Sequence, residues 1–470
     1  MMLEVRPAVA PELDPGFQPA VLWRQAYEEE VRRRGGEPFA VAVEQDEAVT
    51  VVRTNVLPDE EAYRSWNRKY VERLVKFLLW QKGGHTVKVA GNSQLAQYLA
   101  ALYAPGGERA FDADLMGRRV YGRPFRVVEV ALDEMPEARE IRQRLGGHLD
   151  GCRIGFDLGG SDRKCAAVID GEVVHSEEVV WDPYFQKDPR WHYREINDSL
   201  KRAAAHLPRV DAIGGSAAGV YVNNQVRVAS LFRGVSEEDF DRYVRPIFLE
   251  LQKEWGGVPF VVVNDGEVTA LAGSMSLGDG AVLGVAMGTS LAAGYVTPDG
   301  HLTSGLDELA FVPVDYRDDA PRDEWSGDIG VGAQYFSQQA VARLAPAAGL
   351  EFPEDMPFAE RLVEVQRLAE RNDERAWKIY RTIGVYFGYA VAQFAAHYEI
   401  RHLLVLGRVM SGPGGEMILQ TAKEVLRREF PDLAERIDLK TPGEKEKRLG
   451  QAVAAASLPE LPSQETKKKE

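Results

Sequence analysis

Three glycine-rich loops, each directly after an apolar stretch, limit the folds that this chain can adopt. They read DLGGSDRK at 157–164, AMGTSLAAG at 286–294 and LGRVMSGPGG at 406–415. The first two are followed by a second apolar stretch, which predicts strand hairpins, whereas the third precedes a predicted helix. Between the first two, the apolar strand VPFVVV ends in Asn264 and Asp265 and leads into a helix. This order predicts an α/β chain with two lobes, each built on a sheet, whose loops face one cleft.

The first loop allows two interpretations. In a tight hairpin, Gly159 and Gly160 would adopt positive φ, and Ser161 and Asp162 would form turn hydrogen bonds. In a phosphate cradle, the glycines would let backbone N–H groups surround an anion, because no Cβ blocks the approach. Asp157, at the end of the strand, would then face the metal ion that accompanies a nucleotide. The loop alone is more typical of a hairpin.

Asp265 also allows two interpretations. It lies at the end of an apolar strand and at the start of a helix. A carboxylate in this position can cap the helix, or it can accept the proton of an attacking hydroxyl in phosphoryl transfer. Asp265 taken alone favours the cap. The glycine hairpins on either side of it, in this order, favour the general base.

The composition excludes several classes of protein. The chain has 470 residues, enough for two or three domains, and a net charge of −15, which disfavours nucleic acid as a partner. Its two cysteines, Cys152 and Cys165, are too few for a disulfide framework or a structural zinc site. No apolar run reaches transmembrane length, and the N-terminus lacks the regions of a signal peptide. We therefore expect a cytoplasmic protein without a membrane partner.

The pattern of predicted elements divides the chain. Residues 1–148 predict an α/β or α+β domain of unknown role, which includes a hairpin at 39–53. The other expected segments are a first lobe at 151–285, a second lobe at 286–460 and a disordered tail at 461–470. A largely buried helical stretch is predicted within 357–398, where Gly384 and Gly388 are one turn apart and would permit close helix packing.

Four segments resemble motifs of the ROK family of sugar kinases, in the actin-like ATPase superfamily. IGFDLGGSDRK resembles D-x-G-G-T-x-x-R/K, with Ser161 in place of Thr and Lys164 at the basic position. VVNDGEVTALAG resembles E-N-D-A-N-A-A-A-L, in which Asp265 falls on the catalytic base. GVAMGTSLAAG resembles G-T-G-I-G-G-G at Gly288 and Thr289, and LLVLGRVMSGPGG resembles I-V-L-G-G-G-V-S.

The resemblance spans roughly residues 152–460 and implies a two-lobed actin-like, ribonuclease H-like fold. It implies ATP and Mg²⁺ as cofactors, a sugar or polyol as the small-molecule partner and, as in many ROK-like proteins, a homodimer. Asp265 would be the general base, and Asp157 would hold Mg²⁺ directly or through water. The residues implied in nucleotide and phosphate binding are Gly159, Gly160, Ser161, Lys164, Gly288, Thr289, Ser290, Gly407 and Gly412.

The acceptor side departs from the family pattern. Family kinases carry E-x-G-H, whose Glu and His contact the sugar and whose His binds zinc; here Glu308 is kept, but Phe311 stands at the His position. The loop that should supply further zinc ligands has no cysteine, so no zinc is expected. Ser230 stands near the position of a sugar-contacting Asn, and the implied acceptor contacts are Asn264, Asp265, Glu308 and Ser230. Unpaired polar groups in such a pocket would disfavour a common hexopyranose by about 1–3 kcal/mol each.

The motifs leave two functions open and disfavour a third. An ATP-dependent kinase for a sugar or polyol hydroxyl is favoured by the joint presence of Asp157 and Asp265. A non-catalytic, nucleotide- or sugar-binding regulatory protein of the same fold is the alternative, and the altered acceptor side favours it. A Rossmann-type dehydrogenase is disfavoured, because no G-x-G-x-x-G opens a helix after a strand.

Overall fold

The computed structural model describes residue 3 and residues 5–143, 145–443 and 450–462. From residue 463 onward, the tail predicted to be disordered lies outside the described residues. The chain divides into two compact units that do not follow chain order. The first consists of residues 1–141, 285–293 and 304–441, and the second of residues 142–284, 294–303 and 442–470. The domain boundaries expected from the sequence remain a prediction about which segments fold independently.

Strands and helices occur in both units. The strands are β1 (Glu37–Glu44), β2 (Val49–Val56), β3 (Thr86–Ala90), β4 (Arg126–Glu129), β5 (Arg142–Gln143), β6 (Cys152–Leu158), β7 (Asp162–Ile169), β8 (Glu172–Val180), β9 (Ala212–Ala217), β10 (Val220–Val222), β11 (Gln225–Val228), β12 (Phe260–Asn264), β13 (Val282–Met287), β14 (Leu291–Val296), β15 (Leu302–Thr303), β16 (His402–Leu406) and β17 (Asp438–Lys440).

The helices are more unequal in length. They are α1 (Ala20–Arg34), α2 (Arg64–Lys82), α3 (Ser93–Leu102), α4 (Ala110–Asp114), α5 (Pro189–Ala204), α6 (Glu237–Asp239), α7 (Ile247–Glu254), α8 (Asp265–Leu277), α9 (Ala333–Phe336), α10 (Gln338–Leu344), α11 (Phe358–Glu370), α12 (Glu374–Phe394), α13 (Pro413–Glu429), α14 (Pro431–Arg436) and α15 (Gln451–Ala456). In the part of the chain that the structure describes, no helix is long and apolar enough to cross a membrane.

The N-terminal part of the first unit contains a four-stranded sheet in the order β2-β1-β3-β4. β1 and β2 form the antiparallel hairpin predicted at 39–53, and β4 runs parallel to β3. α2 buries Trp66 and Tyr70, members of its apolar stripe. α3 begins after Asn92, whose Oδ1 accepts a hydrogen bond from Leu95 N at 2.9 Å.

The rest of the first unit contains a second sheet, in which β17 and β16 are parallel neighbours. From β16 the strand order continues to the parts of β13 and β14 that belong to this unit. The helical stretch predicted at 357–398 is two helices, α11 and α12, rather than one. Asn372 breaks it with a φ of 58°, and Asp373 restarts it by accepting a hydrogen bond from Arg375 N at 2.9 Å. The apolar pattern continues on both sides of this break, so the helical periodicity alone does not show it.

The second unit is built on a five-stranded mixed sheet in the order β12-β9-β6-β7-β8. β6, β7 and β8 form an antiparallel meander, whereas β9 is parallel to both β6 and β12. One core lies against this sheet and includes Ile154, Phe156, Ile213 and Phe260. This arrangement is the mixed sheet expected for the first lobe, and it places the ends of β6 and β12 on either side of the end of β9.

Two glycines let α15 pack closely on this sheet. A Cβ at Gly155 in β6 would overlap the carbonyl oxygen of Ala452, and a Cβ at Gly214 in β9 would overlap that of Ala455. Small residues at these strand positions are therefore required for the helix backbone to reach the sheet.

The parts of β13 and β14 that belong to the second unit are followed in strand order by β15 and β5.

Candidate active site

The predicted site residues lie in two groups, one in each unit. The second unit holds the first glycine loop, Asp157, Lys164, Ser230, Asn264 and Asp265, whereas the first unit holds Glu308 and the glycine loops near Gly288 and Gly407. Each group can be described from its own contacts.

The first glycine loop is a hairpin turn between β6 and β7. Gly159 N donates to Asp162 O at 2.9 Å, which closes the turn. Trp181 braces it from outside: its backbone N donates to Ser161 O at 3.1 Å, and its Nε1 donates to Gly159 O at 2.8 Å. None of the described residues accepts a hydrogen bond from the N–H of Gly160 or of Ser161. The turn is therefore a hairpin, but neither Gly159 nor Gly160 adopts the positive φ expected of it. Its two N–H groups without acceptors are compatible with an anion, and the phosphate cradle stays a prediction.

Asp157 is held at the end of β6 by both neighbouring strands. It is in register with Ser216 on β9 and with Lys164 on β7, and its side chain is buried, with 5% exposure. Burial raises the pKa of Asp157 to about 6, and the charge of Asp265 adds to this rise, whereas Ser216 and Lys164 act in the opposite direction. Burial and a second carboxylate both disfavour the ionised form of Asp157, and a bound cation would offset this effect.

Lys164 forms an ion pair with Asp162 beside the glycine turn. Its Nζ lies 3.1 Å from Asp162 Oδ1. Burial lowers the pKa of Lys164, but the hydrogen bond with Asp162 and the charge of Asp157 outweigh this and raise it. Lys164 therefore stays positively charged beside the glycine turn.

Asn264, not Asp265, caps α8. Asn264 Oδ1 accepts a hydrogen bond from Gly266 N at 2.7 Å, and Asn264 N donates to Glu267 Oε2 at 3.0 Å, so the two residues form a capping box. Asn264 Nδ2 also donates to Gly219 O at 2.7 Å. The interpretation of Asp265 as the cap is therefore wrong, and its carboxylate is not needed for that role.

Asp265 occupies the first position of α8 and is half-buried. Burial raises the pKa of Asp265, and the N–H of Gly266, which donates to its Oδ1 at 3.0 Å, opposes this rise. A raised carboxyl pKa brings the proton affinity closer to that needed by a general base near neutral pH.

Tyr221 is a neighbour of Asp265 that the motifs did not reveal. It lies on the β10–β11 hairpin, and its hydroxyl donates to Ala218 O at 3.1 Å. Burial and the charge of Asp265 raise the pKa of Tyr221, so the phenol stays protonated. The pair Asn223 and Asn224 could have predicted this hairpin, because asparagines tolerate the positive φ that both adopt in the turn.

Ser230 begins a short 3₁₀ turn in the second unit, Ser230–Phe232. Arg233 N donates to Ser230 O at 3.1 Å, which closes this turn. Ser230 therefore belongs to the same unit as Asp157 and Asp265, although no contact between its side chain and theirs defines an acceptor pocket.

The first-unit group is organised around β13. Gly288 N donates to Ser290 O at 2.9 Å, so Gly288, Thr289 and Ser290 form a tight turn between β13 and β14. Gly407, with a φ of 102°, lies against the backbone of Met287, where a Cβ would overlap the Met287 carbonyl oxygen. Gly412 has a φ of 72° and precedes α13.

The segment with Glu308 is tied to the C-terminal turn of α2. Asp307 N donates to Gln81 O at 2.9 Å, and Glu308 N donates to Trp80 O at 3.0 Å. Phe311 contacts Trp80 and Trp325, with ring centroids 4.5 and 4.7 Å away. The position linked with a zinc-binding His thus carries an aromatic contact, and the expectation of no zinc stays a prediction.

Mg²⁺ fits the second-unit group through one protein carboxylate. Mg²⁺ is usually held by one or two carboxylates together with substrate phosphates and water. Asp157 supplies such a carboxylate, and Asp265 lies near enough to affect its pKa. Within the described ranges, no group of three or more His, Cys, Asp and Glu side chains is arranged to hold a metal ion by itself.

Comparisons with solved structures give matches to ROK proteins. A ROK hexokinase from Thermus thermophilus has 20% sequence identity and a TM-score of 0.50, over 65% of this chain and 97% of that chain. A ROK family transcriptional regulator, a homologue of the E. coli MLC protein, has 18% identity and a TM-score of 0.51, over 66% of this chain and 79% of that chain. No protein-family model and no curated protein matches the sequence.

At these identities the matches establish the fold and not the activity. The matched part, 65–66% of this chain, therefore has the actin-like ATPase fold of these ROK proteins.

Proposed function

We propose that this protein is an ATP-dependent phosphotransferase that acts on a hydroxyl of a sugar or polyol. The observation that carries the proposal is the division of roles at the start of α8. Asn264 satisfies the helix N-terminus, so the neighbouring Asp265 is free to serve as a base. A binding protein has no need of such a base.

Asp265 accepts the proton of the acceptor hydroxyl in this proposal. The hydroxyl oxygen forms a bond with the γ-phosphorus of ATP as the bond from that phosphorus to the bridging oxygen breaks, and ADP leaves with the electron pair. Asp157 is the proposed ligand of Mg²⁺, directly or through water. ATP supplies the activated phosphoryl group, and the protein supplies position and charge.

The proposed phosphate contacts of the second unit are Gly159, Gly160, Ser161 and Lys164. The two N–H groups without acceptors in the glycine turn and the charge of Lys164 support this role. The same role is proposed for the first-unit residues Gly288, Thr289, Ser290, Gly407 and Gly412. For these five residues the support is the resemblance of their motifs and the tight turns they form.

The proposed acceptor contacts are Glu308, Ser230, Asn264 and Asp265. Asn264 already gives one amide hydrogen to Gly219 and one lone pair to Gly266, so it offers a substrate its remaining N–H at most. Phe311 removes a polar contact from the acceptor side. We therefore propose an acceptor other than glucose. A homodimer and a cytoplasmic location remain predictions.

The alternative is a non-catalytic regulatory protein that binds a nucleotide or sugar. The match to a ROK transcriptional regulator with a TM-score of 0.51 supports it as much as the match to a hexokinase supports the kinase. Phe311, in place of a polar residue, also favours it. Only a measurement of phosphate transfer separates the two.

The test is a phosphate-transfer screen with ATP and Mg²⁺ against a panel of sugars and polyols, followed by Asp265→Asn on the best acceptor. Asn keeps the shape of the side chain but removes the base, so we expect turnover to fall by roughly 10²–10⁴-fold. The affinity for ATP should stay within about twofold, because Asp265 is not among the proposed phosphate contacts.

Asp373→Asn is the matched control, since Asp373 is an aspartate at a helix start whose capping role Asn can take over. We expect its turnover to be unchanged. Full turnover by Asp265→Asn would remove Asp265 from the mechanism. ATP binding without transfer to any acceptor in the panel would favour the regulatory protein.

A further inference from the structure

The glycine turn at 159–161 is covered by the segment 181–186. Trp181 is buried and donates two hydrogen bonds to carbonyl oxygens of the turn. Tyr184 lies directly on the turn, because a Cβ at Gly160 would overlap the Tyr184 hydroxyl. The absence of a side chain at Gly160 therefore makes room for Tyr184.

Arg233 completes this cover. Its guanidinium carbon lies 4.1 Å from the centroid of the Tyr184 ring and 5.2 Å from that of Phe185. The backbone around it is fixed as well: a Cβ at Gly234 would lie only 2.6 Å from Gln186 O. Arg233 is thus held by stacking and by close backbone packing. The Tyr184 side chain lies between it and the glycine turn.

The charge of Arg233 has no counterpart. No carboxylate among the described residues forms an ion pair with it, although its side chain is exposed. By contrast, Arg163 in the same unit is paired with Glu195 and Asp198. The carboxylates of Asp157 and Asp162 both act on Lys164 beside the turn, so a further positive charge there would favour the binding of a phosphate chain.

We infer that Arg233 is a phosphate-binding residue of the candidate active site, which contacts the anionic phosphates of a nucleotide held at the turn 159–161. The inference rests on the proposed function. A guanidinium is planar and binds phosphate oxygens through two parallel N–H groups. Its stacking on Tyr184 reduces the freedom that would be lost on binding. Arg233 also lies in the turn that begins at Ser230, so it would link the phosphate and acceptor sides.

The experiment measures the binding of Mg-ATP, inorganic pyrophosphate and adenosine to the full chain by calorimetry. We expect Arg233→Ala to raise the Kd of Mg-ATP and of pyrophosphate by about 10- to 100-fold and to leave adenosine binding unchanged. The salt dependence of pyrophosphate binding should also weaken, because one phosphate contact is lost. Tyr184→Leu, which keeps bulk over Gly160 but removes the stacking, should give a smaller increase in both Kd values.

Arg242→Ala is the matched control. Arg242 is an exposed arginine of the same unit whose guanidinium carbon lies 5.1 Å from the centroid of the Tyr243 ring. We expect the Kd values of Arg242→Ala to stay within about twofold of the wild-type values, since the contact between Arg242 and Tyr243 does not involve the glycine turn. Arg233→Gln, which keeps part of the stem and a planar polar end group but removes the charge, replaces Arg233→Ala if the alanine variant does not fold.

Three results would overturn the inference. If the wild type binds Mg-ATP and Arg233→Ala binds it equally well, Arg233 is not a phosphate contact, and the proposed function stands. If adenosine and pyrophosphate affinities fall together, Arg233 has a structural role only. If the wild type binds neither Mg-ATP nor pyrophosphate, both the inference and the proposed function fail.

Discussion

At the scale of single residues, Asn264 and Asp265 show how neighbours divide two tasks. The helix N-terminus needs an acceptor for its free N–H groups, and Asn264 supplies it. The same amide fixes β12 to the β10–β11 hairpin through Gly219. The cap at Asn264 thus fixes the backbone of Asp265, while the Asp265 carboxylate is not needed for capping. A reacting carboxylate requires such a fixed position.

Asp157 gives a prediction about pH and stability. Its pKa is about 6 in the folded protein, compared with about 4 in an unfolded chain. Between these values the folded state binds more protons, so the contribution of Asp157 to stability falls as the pH rises from about 4 to about 6 and stays low above that. The difference between the folded and unfolded pKa values corresponds to about 3 kcal/mol in the free energy of unfolding.

We therefore expect Asp157→Asn to raise the free energy of unfolding of the ligand-free protein at pH 7.5 by about 1–3 kcal/mol. The gain should shrink as the pH approaches 4, while the affinity for Mg-ATP should fall because the metal ligand is lost. Denaturant unfolding at several pH values measures this. Asp170→Asn, an exposed turn residue of the same unit, is the control. A gain independent of pH would contradict the assignment of the raised pKa to Asp157.

At the scale of elements, the packing of α12 on α13 depends on two glycines. A Cβ at Gly384 would lie 2.6 Å from Thr421 Cβ and 2.8 Å from Ile418 O. One turn later, a Cβ at Gly388 would lie 2.5 Å from Val425 Cβ and 2.9 Å from Ala422 O. The close approach predicted from their spacing is confirmed, and the helix backbones touch where the glycines lie.

Gly388→Ala tests this contact. Alanine improves helix propensity by about 1 kcal/mol, but here its methyl group must displace the backbone of α13. We expect the free energy of unfolding to fall by about 1–3 kcal/mol, as measured by thermal or denaturant unfolding. Lys378→Ala on the same helix breaks only a surface pair with Glu12 and should cost at most about 1 kcal/mol. An unchanged or increased stability of Gly388→Ala would show that the helices can separate freely.

At the scale of the whole molecule, a buried charge network connects segments far apart in the chain. Lys76 is fully buried, with Nζ 2.8 Å from both carboxylate oxygens of Asp112 and 3.3 Å from Asp328 Oδ2. Arg109 lies 2.7 Å from both Glu72 and Asp328. Although burial opposes it, the cations Arg73, Lys76 and Arg109 lower the pKa of Asp328.

Lys76→Met should destabilise the protein by about 3–5 kcal/mol, because it removes a cation from two buried carboxylates, Asp112 and Asp328, and leaves Asp112 without an ion pair among the described residues. Adding Asp112→Leu removes one of these carboxylates, so we expect the double variant to recover at least half of the loss. Thermal unfolding of the single and double variants measures both effects. A double variant that is less stable than Lys76→Met alone would contradict a network dominated by unpaired charge. Arg32→Met, which breaks an exposed pair with Glu29, is the control.

Features that depend on neighbours along the chain could be predicted from the sequence. The hairpin at 39–53, the strands around the first glycine loop, the cap at Asn92 and the helix after Asp265 all follow from local periodicity and turn residues. The motifs also indicated the ROK fold, which the matches to solved structures confirm.

The tertiary structure alone shows which residues far apart in the chain come into contact. It assigned residues 1–141 to the same compact unit as 304–441, gave the cap of α8 to Asn264, and stacked Arg233 on Tyr184 over the glycine turn. It also paired Lys76 with Asp328 across the chain. These contacts depend on how strands and helices pack after they form, and residues hundreds of positions apart leave no periodic signal of their contact in one sequence.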